Sequence, residues 1–239
     1  MNFFASESVE WASKLQGIQQ SLFSYRNQPI PEPVLKVQVD TSLEGMSIEG
    51  TSGGFDVGSS TGADLCKQLK ELPSGKKSAL KFEEICVRAL KYLFEDDLTG
   101  WRTQRSSKNG LHRYDLIARV TSNHDFWNSL ISDYRARYII FEFKNYKKKI
   151  TQKEIYSTEK YLFPIAMRST AIIISRKGPN KNASRVTAGA LRESGKLILS
   201  LDVEDVCKML HKKDDGDDYM SVIYRVLDDL LETLSLIHI

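Results

Sequence analysis

Apolar and polar positions divide the chain into a helical beginning, an irregular connector and a long stretch of interleaved helices and strands. Residues 5–25 carry Val9, Trp11, Leu15, Ile18 and Leu22 at near-helical spacing, which predicts a first helix. Between 26 and 61 that pattern lapses. Pro29, Pro31 and Pro33 precede Gly45, Gly50, Gly53, Gly54 and Gly58, so this stretch reads as a connector, interrupted at most by a short strand over 34–39. A short helix over 63–72 stops at Pro73. From 79 to 94, Phe82, Ile85, Cys86, Ala89, Leu90 and Leu93 fall on one stripe, as an amphipathic helix laid on a sheet requires.

Strand-like runs follow at 101–105, 114–120 and 138–144, the last two separated by a short helix over 125–134. A helix over 152–162, a β-branched strand over 170–175, a helix over 183–193 with Gly195 at its end, and a strand over 196–201 continue the alternation. Helices over 203–212 and 219–236 close the order, separated by an acidic turn. Such an order predicts an α/β fold, a mixed β-sheet flanked by helices, preceded by a helical and irregular appendage. We assign residues 76–212 to the domain and 1–75 to the appendage, which has room for a partner or regulatory contact. Residues 213–239 form a C-terminal helix whose stripe of Ile223, Val226, Leu227, Leu230, Leu231 and Leu234 packs on the domain or on a second copy.

With 239 residues, the chain can bury a sizeable core without staples. No apolar run reaches the length a membrane span needs, and the first residues lack the basic and apolar regions of an export signal, so a cytoplasmic location is expected. Cys66, Cys86 and Cys207 are far apart and show no metal-binding spacing, so they are expected to be reduced core residues. The four histidines are scattered, and none enters the candidate site.

Overall charge, +3, conceals a division along the chain. Between Arg135 and Lys196 stand 15 Lys or Arg and four acids, a net of +11, while the remaining 19 basic and 27 acidic residues give −8. A positive field over one stretch suits a phosphate backbone as partner.

Chemistry concentrates on the strand over 138–144. Alternation puts Ile139, Phe141 and Phe143 on one face and Glu142 with Lys144 on the other. Two opposite charges on so apolar a strand are costly to bury unless they meet each other, a metal or a functional cleft. Asp115 begins a neighbouring strand, opposite in facing to Leu116, Ala118 and Val120, so adjacent strands can bring it beside Glu142. A carboxylate pair is what Mg²⁺ prefers, because this hard ion takes oxygen ligands. On the helix over 79–94, Glu83 falls at the edge of the apolar stripe and Glu84 on the far side, so Glu83 is the acid able to face the sheet.

These residues resemble the PD-(D/E)XK nuclease superfamily, and the surrounding sequence is most similar to its Mrr-like restriction-endonuclease branch. The likeness rests on Phe82 and Glu83 in the helix, Tyr114, Asp115 and Leu116 on the second strand, and Phe141, Glu142, Phe143 and Lys144 on the third, and it covers roughly residues 79–210. No proline precedes Asp115, where the family's motif has one. The resemblance implies a restriction-endonuclease-like mixed sheet. It implies Mg²⁺, with Mn²⁺ able to substitute, held by Asp115, Glu142 and the Phe143 carbonyl, with Glu83 acting directly or through water. Lys144 would orient the attacking water and stabilise charge.

A QxxxY pair, Gln152 and Tyr156, is similar to one in exonuclease-like relatives, where it lies near the substrate strand. Lys147, Lys148, Lys149, Arg176, Lys177, Lys181 and Arg185, with Arg168, are expected beyond the strand ends near the carboxylates, gripping phosphates. The expected activity is Mg-dependent endonucleolytic hydrolysis of DNA, in bacterial defence by resemblance, under the control of a partner. Cutting both strands would require two sites, hence a homodimer or a subunit of a larger complex. The alternatives are a catalytically silent DNA-binding or scaffold subunit of the same fold, and a ribonuclease, since the chemistry is shared.

Overall fold

A computed structural model describes residues 61–103, 114–122 and 124–236, all within one compact unit spanning 55–239. The helix over 5–25, the connector and the strand over 34–39 lie outside the described residues. Helix α1 (Gly62–Glu71) starts at Thr61, whose hydroxyl caps the Asp64 amide while the Asp64 carboxylate returns to the Thr61 backbone. Its continuation is barred at Pro73. Helix α2 (Ala79–Phe94) follows, then strands β1 (Leu98–Thr103) and β2 (Leu116–Val120), helix α3 (Asp125–Tyr134) and strand β3 (Tyr138–Lys144). Helix α4 (Gln152–Glu159), strand β4 (Thr170–Ser175), helix α5 (Lys181–Ser194) and strand β5 (Leu197–Asp202) complete the sheet layer, and helices α6 (Val203–Asp214) and α7 (Met220–Leu236) end the fold.

The five strands are ordered β1-β2-β3-β4-β5. β1, β2 and β3 pair antiparallel, whereas β3, β4 and β5 pair parallel through the α4 and α5 crossovers. This is the expected mixed sheet between helices. One face buries Ile139, Phe141 and Phe143 against apolar side chains of α1, α2, α3, α6 and α7. The other buries Ile140, Ala171, Ile173 and Ile198 against Ile155 of α4 and Ala183 of α5. Helix α7 sets Ile223 and Leu230 into the first core, so its stripe serves the domain.

Three boundaries differ from expectation for identifiable reasons. β1 starts at Leu98, ahead of the expected 101, because Gly100 occupies an irregularity in the β1–β2 register with φ +63, where glycine has no steric penalty. Read in sequence, that glycine marks a turn. α4 stops at Glu159 and Pro164 opens a 3₁₀ turn, so the expected last residues of that helix form a bend instead. Helix α1 and the C-terminal helix, assigned in sequence to flanking segments, belong to the same unit as the sheet. Leu65 and Leu69 of α1 are buried, and Asp214 at the end of α6 accepts hydrogen bonds from the Gly62 and Ala63 amides.

The cysteine expectation is corrected. Cys66 of α1 and Cys207 of α6 form a disulfide across 141 residues of sequence, and of the three only Cys86, buried in α2, is a free thiol. Separation along the chain says nothing about proximity once two helices pack side by side.

Candidate active site

The carboxyl end of β3 carries the expected charges. Glu142 is only 3% exposed, and Lys144 Nζ stands 2.6 Å from its Oε2 and 3.5 Å from Asp115 Oδ2. The β2–β3 register pairs Leu116 with Phe141, which sets Asp115 opposite Glu142 just before β2 begins. Asp115 Oδ2 also accepts the Phe143 amide at 2.8 Å. A carboxylate thus takes the place of a ladder partner at the strand's end. The Lys144 carbonyl accepts from Arg176 on the opposite side, so the Phe143 amide and carbonyl both point toward Asp115.

Electrostatics here are those of one buried and one partly exposed acid sharing one cation. Burial, reinforced by the neighbouring Asp115 charge and opposed by Lys144, pushes the Glu142 carboxyl from its ordinary 4.5 to about 7. Burial acts against the Lys144 ammonium, but Glu142 and Asp115 outweigh it and hold its pKa above the ordinary value. The second oxygen of Glu142, Oε1, is buried without a hydrogen-bond partner. An orphaned carboxylate oxygen in such a setting calls for a proton or a cation.

Among the described residues Glu83 is not gathered with Asp115 and Glu142 into a metal-holding cluster. Its helix lays Phe82, Ile85 and Cys86 on the sheet face that carries Phe141 and Phe143, while Glu142 and Lys144 project from the other face. Glu83 is half-buried and lines a cavity of about 230 Å³ with Glu84, Val87, Arg88 and Thr103, where its charge acts on the Cys86 thiol. The sequence wheel separated the two acids as found, since Glu84 is exposed and pairs with Lys81 at 3.2 Å. It could not register which layer the helix occupies. Among the described residues no three His, Cys, Asp or Glu side chains gather closely enough to hold a metal.

Two residues at the site were missed in sequence. Ser175 lies in register with Lys144 on β4, and its buried hydroxyl has no partner. Asn145, 3% exposed, donates to the Pro73 and Gly75 carbonyls, accepts from Arg176 Nε at 2.8 Å, and receives the Gly75 amide on its own carbonyl. It ties the ends of β3 and β4 to the loop before α2. Gly75 sits there at φ +122, a conformation open to glycine alone. An Asn directly after the motif lysine, and a Pro-Ser-Gly turn distant in sequence, were the available signals.

The residues expected to contact nucleic acid divide. Lys147, Lys148, Lys149, Gln152, Lys177, Lys181 and Arg185 are exposed. The loops after β3 and β4 are zipped through the Ile150 and Asn180 amides, which places the lysine run and Lys177 beyond the same strand ends as Lys144. Tyr156, half exposed, lines a groove of 510 Å³ between α4 and α5 with Arg185. Arg176 is only partly exposed: besides its bond to Asn145, its guanidinium lies 5.2 Å from the Phe82 ring. Arg168 precedes β4 and therefore sits at the opposite end of the parallel strands from Lys144.

No family model and no solved structure matches the chain. It is similar to an 80.3 kDa protein of Escherichia coli (strain K12) attributed to transposon gamma-delta, at 30% identity over 84 residues. That likeness covers 35% of this chain, and the chain spans 12% of the relative's length. Among the described residues no helix is long and apolar enough to cross a membrane.

Proposed function

We propose that this chain is a metal-dependent endonuclease that hydrolyses DNA phosphodiester bonds at Asp115, Glu142 and Lys144. The observation that carries the reading is the buried Glu142, with one oxygen on Lys144 and the other orphaned, beside an Asp115 carboxylate at the open end of a parallel strand pair. Ligands of open α/β sheets bind at the carboxyl ends of strands. The donor set fits a hard divalent cation such as Mg²⁺: Asp115, Glu142 and the Phe143 carbonyl would hold it through oxygen alone. When bound, such an ion polarises a phosphate and makes water more acidic.

The chain's own groups do the rest. Lys144 keeps its ammonium charge through the two acids, and its third N–H serves a phosphate oxygen on which negative charge grows. Asn145 fixes the backbone that carries Lys144. Lys147, Lys148, Lys149, Lys177 and Lys181 supply sequence-independent grip on the backbone phosphates. A role in bacterial defence, and assembly as a homodimer or with a controlling partner, rest on the family resemblance.

A second reading has its own observation. Lys144 bridges both acids, and among the described residues no third acid gathers with them to hold a metal, as in a retired site kept as a DNA-binding scaffold. Incubating supercoiled, linear and single-stranded DNA, and RNA, with Mg²⁺ separates the two. Cleavage by the wild type that is lost in Asp115→Ala supports the enzyme and names its substrate. Binding of DNA with no cleavage of any substrate supports the scaffold.

A further inference from the structure

The nuclease reading leaves one surface unused. Between α4 and β4 the chain makes a tight knuckle, in which the Phe163 amide donates to the Arg168 carbonyl at 2.7 Å and the Arg168 amide returns to Phe163 at 3.2 Å. Pro164–Ala166 form a 3₁₀ turn at its tip. Met167 takes left-handed backbone, φ 53, and its carbonyl accepts the Tyr138 amide at the start of β3. The knuckle is therefore pinned to the sheet, at a cost in backbone strain. Yet its side chains serve no core: Ile165 is 99% exposed, Phe163 51% and Met167 48%. A fixed apolar projection of this kind marks a contact surface.

Neighbouring chemistry identifies the contact. The Arg168 guanidinium lies 5.4 Å from the Phe163 ring centre and 5.9 Å from that of Tyr114, and Tyr114 meets Tyr161 edge-on at 6.3 Å. Rings and guanidinium form a ledge that ends at Tyr114, the residue before Asp115. Arg135, Arg137 and Lys160 are exposed on the flanking segments; of the acids there, Asp133 is exposed and Glu159 is bridged to Lys196 at 3.1 Å. Aromatic faces interleaved with cations suit unpaired bases and their phosphates, and protruding Ile, Phe, Met and Pro side chains suit insertion between base steps.

We propose that the Phe163–Met167 knuckle and the Tyr114–Tyr161 ledge bind unpaired bases, so that the site at the other end of β3 takes single-stranded or junction-containing nucleic acid in preference to uninterrupted duplex. The inference rests on the nuclease reading and adds its substrate class.

Anisotropy of fluorescein-labelled oligonucleotides of about 20 nucleotides, as single strand, fork and blunt duplex, tests it on the full chain in EDTA, where turnover is stopped. Single strand and fork bind about tenfold tighter than blunt duplex, and a Phe163→Ala, Ile165→Ser protein loses that preference while keeping duplex affinity. Both side chains are exposed, so the variant folds, as circular dichroism checks. Equal binding of the three, or a preference that survives in the variant, overturns the inference. So does binding to phosphatidylglycerol vesicles, or self-association in sedimentation, that disappears in the same variant. Mg²⁺-dependent cleavage without strand preference defeats this inference alone. A knuckle-dependent single-strand preference with no cleavage defeats the hydrolase reading and leaves the binding surface standing.

Discussion

Glu142 is held where its neutral form is favoured, and that has a consequence for stability. An acid whose folded-state pKa is raised to about 7 from an ordinary 4.5 binds more protons folded than unfolded between those values. Stability contributed by this group is therefore highest below about pH 4.5 and declines as pH rises toward about 7. Glu142→Gln removes that slope. Urea denaturation of both proteins at about pH 5 and pH 8 should show the variant gaining on the wild type at the higher pH, by up to about 3 kcal/mol. A cation on the orphaned oxygen would favour the ionised form, so millimolar Mg²⁺ raises the Tm of the wild type at pH 8 and leaves Asp115→Asn unmoved. Lys144→Ala leaves two carboxylates without their cation and destabilises the fold by about 3 kcal/mol, measured by the same denaturation at pH 8.

At the scale of elements, the parts that sequence made legible share one property: their periodicity is imposed by burial. The β3 alternation survives intact because every second residue must enter a core, and with it came the facing of Glu142 and Lys144. The α2 stripe is equally clear. What stayed hidden depends on which layer an element occupies and on contacts distant in sequence. Glu83 is half-buried where Glu84 is exposed, as the helical wheel separates them, but the wheel carries no information on which face of the sheet the helix covers. Nor does the sequence show that Arg176 meets Asn145 and Phe82. Asn145 carries no sequence signal of its three-way tie. Asn145→Ala, by leaving the Pro73 and Gly75 carbonyls and Arg176 without partners, costs about 1–3 kcal/mol in thermal or chemical denaturation. If Asn145 positions Lys144, that variant lowers turnover with little change in DNA affinity. Both losses should appear in Gly75→Ala, where the backbone cannot keep φ +122.

For the whole molecule, the disulfide between α1 and α6 makes a direct statement about the chain's chemistry. Protein alkylated on isolation and then denatured should yield one reactive thiol, Cys86, and three after reduction. Closing a loop of this length stabilises by about 4–5 kcal/mol in the chain-entropy account, so reduction lowers the Tm. Three thiols without reductant would show that the pairing does not form where the chain is made, as in most reducing compartments. The fold itself does not depend on that outcome, since α1 is also held by buried Leu65 and Leu69 and by Asp214. Its mixed sheet brings one acid pair and one lysine to the rim where parallel strands end, with lysine-bearing loops around them. The most direct test of the role given to that rim is the conversion of supercoiled plasmid to nicked and linear forms over time in Mg²⁺. The account predicts conversion by the wild type, its abolition by EDTA, and at least a hundredfold slower rate in Lys144→Ala. Conversion at an undiminished rate in Lys144→Ala, or none by the folded wild type on any substrate, would contradict it.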